Sequence, residues 1–154
     1  MSGIAQQLIF TYQMCAEFIS KHETKGSEVM SKRVLICDDS MLMRKMVADC
    51  LIEDGWEVVG DAANGQEAID LYKELQPDAV TLDIVMPDYD GLYALPRILE
   101  FDSDAKVVMV SALGQTPMIS QAIRNGAQDF IVKPFMPEQL QSTMNRCVVA
   151  EVVA

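Results

Sequence analysis

Only one histidine, one tryptophan and 12 basic side chains occur among the 154 residues of this chain, and its 4 cysteines form no closely spaced pair. Cys15, Cys37, Cys50 and Cys147 lack a CxxC spacing, and His22 stands in a polar stretch. Those absences argue against a zinc site and against a Ser-His-Asp triad within the chain. The basic residues are outnumbered by 23 acidic ones, which leaves a formal charge of -11. A surface of that sign repels a phosphate backbone, so nucleic acid is not expected as a direct partner. No apolar run approaches the roughly 20 residues that span a bilayer, and the N-terminus has no basic, apolar and small-residue series of a signal peptide. A soluble, cytoplasmic protein that does not enter membranes is expected. What the chain does have is apolar residues, 50% of the total, enough for one sizeable core.

From residue 32 onward, short apolar or β-branched runs alternate with longer stretches of helical period. The runs are "RVLIC", "WEVVGDA", "DAVTLD", "KVVMVSA" and "DFIVK". Each gap leaves room for one helix and two turns, so the pattern predicts five repeated βα units. Near-continuous apolar strands such as Val107 to Val110 imply burial on both faces, hence an α/β fold with a parallel sheet covered on each side. Asn64 followed by Glu67 has the spacing of an N-cap and its partner; Ala68, Ile69, Leu71, Tyr72 and Leu75 then form an apolar stripe, and Pro77 closes that helix. Asn125-Gly126 reads as the stop of a helix from about Pro117, and Pro137 suits the first turn of the last helix.

Residues 1 to 31 do not follow the βα rhythm. Ile4, Leu8, Cys15 and neighbouring apolar positions recur at steps of three and four, which predicts an amphipathic helix over residues 4 to 21, followed by the polar linker "KHETKGSEVMSK". Such a stripe packs on its own domain, on a twin chain to give a homodimer, or on a dedicated partner. Met30-Ser31-Lys32 also resembles a translation start, so the extension is alternatively an upstream reading.

The residues that carry chemistry lie where the strands end. Asp38 and Asp39 close the first strand and Asp83 closes the third. In a parallel α/β sheet the carboxyl ends of strands form the ligand crevice, so the three carboxylates converge there if those strands are neighbours. Two like charges about 4 Å apart repel by about 4 kcal/mol at an effective dielectric of 20, so a cation is expected among them. Hard carboxylate oxygens suit a divalent ion that keeps some waters, magnesium before a softer metal. A single strand-end acid more often caps a helix or faces solvent; three at two strand ends make that reading weaker. Ser111 after "KVVMV" offers a hydroxyl and Lys133 after "DFIV" an ammonium, which together make an anion site.

The strings "VLICDDSMLMRK", "TLDIVMPDYDGL", "VVMVSALGQ" and "DFIVKPF" resemble the response-regulator receiver domain, and in particular stand-alone chemotaxis regulators of the CheY-like kind. The resemblance covers about Lys32 to Cys147. It implies a flavodoxin-like sheet of five parallel strands in the order 2-1-3-4-5, with residues 32 to 154 as the receiver domain. It also implies that Asp83 is the phosphoacceptor, and that Asp39, Asp83 and the Val85 carbonyl bind Mg2+ with Asp38 assisting through water. Lys133 and Ser111 then contact the phosphoryl group, and Lys133-Pro134 is a cis peptide. The phosphodonor histidine belongs to a partner kinase, so the lack of one here is no defect. Phe130 stands at a switch position where many relatives have tyrosine. Val85 and Leu113 stand at positions that tune the lifetime of the phosphorylated state, and being apolar they cannot orient an attacking water.

The function so implied is signalling rather than enzymatic turnover: phosphorylation-dependent protein binding, with a histidine kinase upstream and a flagellar motor switch protein as target. The docking surface expected from the resemblance runs from about Pro117 to Val148. With the chain ending at Ala154, no output module is expected. A relay intermediate that passes phosphate to a histidine phosphotransfer protein is the nearest rival, and a non-phosphorylated scaffold dimerising through the N-terminal helix is another. A haloacid-dehalogenase-type phosphatase also uses a strand-end Asp and magnesium, but would need an acid where Val85 stands.

Overall fold

In the computed structural model, residues 31–149 are described. The expected helix over residues 4 to 21 and the dimer built on it lie outside them. Five strands and five helices alternate along the chain: β1 (Arg33–Cys37), α1 (Met41–Glu53), β2 (Glu57–Ala62), α2 (Gly65–Leu75), β3 (Ala79–Leu82), α3 (Gly91–Phe101), β4 (Val107–Ser111), α4 (Thr116–Arg124), β5 (Asp129–Val132) and α5 (Pro137–Val149). The strands make one sheet in the order β2-β1-β3-β4-β5, and every pairing is parallel. This is the flavodoxin-like, CheY-like arrangement that the resemblance implies.

Each parallel connection has to cross the sheet through a helix, and successive residues of a strand face opposite ways, so the apolar strands feed two cores. On one side Leu35, Val80, Leu82 and Met109 pack under Ile69 and Tyr72 of α2, Leu95 and Ile98 of α3, and Ala122 of α4. On the other side Val34, Ile36, Val108 and Val110 pack under Val47 and Leu51 of α1 and Leu140 and Met144 of α5. The fully buried strands β3 and β4 are the near-continuous apolar runs. The edge strand β2 is half-exposed and meets β1 through an irregularity between Val34 and Leu35.

The helix ends follow local chemistry. Asn64 Oδ1 accepts the Glu67 amide at 2.9 Å, while the Glu67 carboxylate reaches back to the Ala63 amide at 2.9 Å, one residue short of the reciprocal box. Gln76 ends α2 in the left-handed region, just before Pro77. Gly126, with φ 101°, follows the Asn125 cap of α4, a conformation that suits a residue without Cβ. Helix α3 carries Pro96 in its interior, at an exposed position.

Candidate functional site

Strand order decides where the acids go. In the β1–β3 register Cys37 lies opposite Leu82, so Asp38 and Asp83 are the next residues out on adjacent strands. The Asp83 amide donates to the Cys37 carbonyl at 2.9 Å, which extends the ladder by one rung. Asp38 and Asp83 are buried and Asp39 is exposed, and carboxylate oxygens of all three lie within 4.8 Å of one another. On the other side of Asp83, Ser111 ends β4 opposite Val132, and the Lys133 amide donates to the Ser111 carbonyl at 2.9 Å. The ends of four strands thus face one crevice.

Lys133 is the hub of this cluster. Its ammonium donates to Asp38 Oδ2 at 2.5 Å and to Asp83 Oδ2 at 3.0 Å. Burial works against its charge, but the bonds to Asp38 and Asp83 outweigh that, so its pKa is held above the ordinary lysine value. Burial pushes the Asp83 carboxyl above its usual range. Hydrogen bonding and charge from Lys133 oppose the rise, the Asp38 charge adds to it, and the Ser111 hydroxyl favours the ionised form. The peptide bond after Lys133, to Pro134, is cis as expected.

Three carboxylates against one ammonium leave the pocket two charges negative, and that is the test of whether the residues fit a divalent ion. They do: the donors are hard oxygens and the residual charge matches. Among the described residues nothing donates to the Val85 carbonyl, so it too is free to ligate. The Val85 amide caps Asp83 Oδ1 at 3.3 Å, while its side chain points outward and is exposed. The Ser111 hydroxyl is buried and accepts the Leu113 amide at 3.3 Å. Phe130 lies opposite Met109 on β5 and is half-buried against the core that also carries Leu113 and Met118. Cys37, directly before the acid pair, is buried and its thiol is pushed far up, first by desolvation, so it is an inert core residue rather than a nucleophile.

Sequence reasoning missed three supports of this pocket. Ser40 donates its amide to Asp38 Oδ1 at 2.9 Å and caps α1 through its hydroxyl, which accepts the Met43 amide at 3.3 Å. The S-x-x-M string gives no capping-box signal, though Ser directly before a helix was available to be read. Arg44 bonds the Asp38 carbonyl at 2.8 Å and Asp61 Oδ2 at 2.6 Å, a bridge to the edge strand that no local pattern encodes. Gly91 starts α3 with its amide on the Ile84 carbonyl at 2.9 Å, and a Cβ there would run into the Asp83 backbone carbonyl. Any larger residue would push on the strand end that holds Asp83.

The sequence profile of the response regulator receiver domain matches residues 34–145. The chain is 49% identical over 117 residues to the chemotaxis protein CheY of Thermotoga maritima, covering 76% of this chain and 98% of that one. To the chemotaxis protein CheY of Bacillus subtilis it is 47% identical, with the same coverage of 76% and 98%. Among solved structures it resembles a chain in the CheX-CheY-BeF3-Mg+2 complex from Borrelia burgdorferi, with 37% identity and a TM-score of 0.71 over 80% of this chain and 90% of that one. Among the described residues no helix is long and apolar enough to cross a membrane.

Proposed function

The chain belongs to the response regulator receiver family, and on that premise we propose that it is a response regulator, phosphorylated on Asp83 by a histidine kinase and signalling by binding a target protein. Residues 32 to 154 are the receiver and residues 1 to 31 an extension. The observation that supports this most is the setting of Asp83: a buried carboxylate bonded to the Lys133 ammonium at 3.0 Å, with the Ser111 end of β4 beside it and the exposed Asp39 at the same strand ends. A carboxylate oxygen of Asp83 attacks phosphorus in line. The new O–P bond forms as the P–N bond of the kinase phosphohistidine breaks, and the electron pair leaves with the imidazole. Lys133 then pairs with the phosphoryl oxygens and Ser111 donates its hydroxyl to one of them.

Asp38, Asp39, Asp83 and the Val85 carbonyl are the groups that would hold Mg2+, which when bound neutralises charge on the transferring oxygens. The magnesium and beryllofluoride named for the Borrelia complex support that reading. A phosphoryl group adds about -1.5 to -2 charge, so it draws Ser111 inward and biases the loop after β4. Phe130 follows by repacking rather than by a phenolic hydrogen bond. The output is binding through α4, β5 and α5, where Ile123 and Val132 are exposed, and similarity to chemotaxis regulators makes the flagellar motor switch the target to test first. A cytoplasmic site of action goes with this role.

The test is intact mass after incubation with acetyl phosphate and magnesium, run beside Asp83→Asn. A single phosphoryl adduct in the parent, absent from the variant and lost with a chelator, is expected. No adduct, or an equal one in the variant, removes Asp83 as acceptor.

A further inference from the structure

We propose that Arg44 is a positioning residue for the cation-binding half of the pocket, acting through the peptide that joins Asp38 to Asp39; the proposal rests on the magnesium reading above. Of the three carboxylates, Asp38 and Asp83 are fixed by their own bonds to Lys133. Asp39 has no such bond. It is exposed, and among the described residues nothing donates to its side chain, so only the backbone at Asp39 fixes where that side chain starts. The carbonyl of the joining peptide, on Asp38, accepts Arg44 Nη1 at 2.8 Å, and the peptide before it is tied to β2, where the Asp38 amide donates to the Ala62 carbonyl at 3.0 Å.

The other arm of the guanidinium is anchored where that peptide is anchored. Arg44 Nε donates to Asp61 Oδ2 at 2.6 Å, and Asp61 is the residue before Ala62 at the end of β2. Its side chain is 16% exposed, so the fork is held rather than waving in solvent. The planar fork makes the two bonds from separate nitrogens, Nε and Nη1, held in one fixed geometry, which the single nitrogen of a lysine does not reproduce. Asp61 also balances the charge of Arg44, so the arginine holds the acid pair without acting as a competing cation in the pocket.

Electrostatics and positioning give opposite signs, which makes the proposal testable. If Arg44 acted only by its charge, Arg44→Ala would remove a positive group near the carboxylates and tighten Mg2+ binding, while Asp61→Ala would weaken it. Positioning requires both to weaken it, by about tenfold, the lower end of what outer-shell partners of metal ligands are worth. The experiment is a calorimetric Mg2+ titration of the full chain for the parent, Arg44→Ala, Arg44→Lys and Asp61→Ala, with thermal midpoints in chelator to check folding. Arg44→Lys keeps the charge and is expected to bind as weakly as Arg44→Ala; if Arg44→Ala does not fold, Arg44→Lys and Asp61→Ala carry the comparison. Phosphorylation by acetyl phosphate gives a second readout: the Mg2+ concentration for half-maximal rate rises, and the rate at saturating Mg2+ returns to that of the parent. Parent-like or tighter binding in the arginine variants overturns the proposal. Absence of binding in the parent removes the magnesium reading itself, a failure distinguishable from the first, and Arg44's role with it.

Discussion

Replacing Lys133 by methionine keeps most of the length of the side chain and removes its charge, and the geometry gives the size of the effect. The ammonium sits 2.5 Å from Asp38 and 3.0 Å from Asp83, with side chains only 15%, 6% and 7% exposed. At such distances and an effective dielectric of 20, each attraction is about 6 kcal/mol, and the desolvation of the ammonium takes back several. Removing one partner of a buried ionic cluster then costs about 3 to 5 kcal/mol, because the carboxylates are left facing one another. Against a total stability of about 5 to 15 kcal/mol this is a large fraction. Excess magnesium should restore most of it, since a divalent cation takes over the work of the ammonium. The deficit should also shrink on acidification. Burial already raises the Asp83 pKa above the ordinary carboxylate value, so the folded state holds its proton more tightly and stability falls as pH rises from that ordinary value to the raised one. Without Lys133 that fall is steeper. Urea unfolding with magnesium or with chelator, followed by circular dichroism and by the buried Trp56, measures this. A metal-free loss below about 1 kcal/mol, or an equal loss with and without magnesium, would refute the reasoning.

Asp83→Asn should abolish the phosphoryl adduct and raise metal-free stability near neutral pH, because it removes a carboxylate that burial disfavours; a less stable variant under chelation would contradict the direction of its pKa shift. The Thr81 hydroxyl is buried without a hydrogen-bond partner, so Thr81→Val should stabilise by about 1 kcal/mol and move the urea midpoint up at constant slope. Gly91→Ala places a methyl against the Asp83 carbonyl and should cost about 1 to 3 kcal/mol while slowing phosphorylation by acetyl phosphate, measured by initial rates of adduct formation. Val85 is exposed and apolar and Leu113 is half-buried, so neither orients an attacking water; the purified phosphorylated protein with magnesium should persist well beyond seconds, and decay within seconds by quenched intact-mass sampling would count against this.

Much of this protein was legible in the chain because it depends on local physics. The five apolar runs became five strands with ends shifted by a residue or so, Asn64 and Asn125-Gly126 marked helix ends, and Asp38, Asp39, Asp83, Ser111 and Lys133 could each be placed at a strand end. Period, capping and propensity act over a few residues, and a single sequence displays them directly. What the chain could not display is which strand lies beside which. Asp38 and Asp83 meet because β1 and β3 are neighbours, a non-local choice made by the sheet as a whole. Lys133 finds Asp38 across 95 positions of sequence, and only the ordered sheet brings the pair within bonding distance. The Arg44 bridge to Asp61, the close approach of Gly91 to Asp83 and the orphaned Thr81 hydroxyl are of the same kind. Composition and spacing determined that the molecule would be a βα repeat with acids at its strand ends. Tertiary structure alone decided how their charges are shared, because that depends on distance through space and exclusion of water, neither of which is written in the order of the residues.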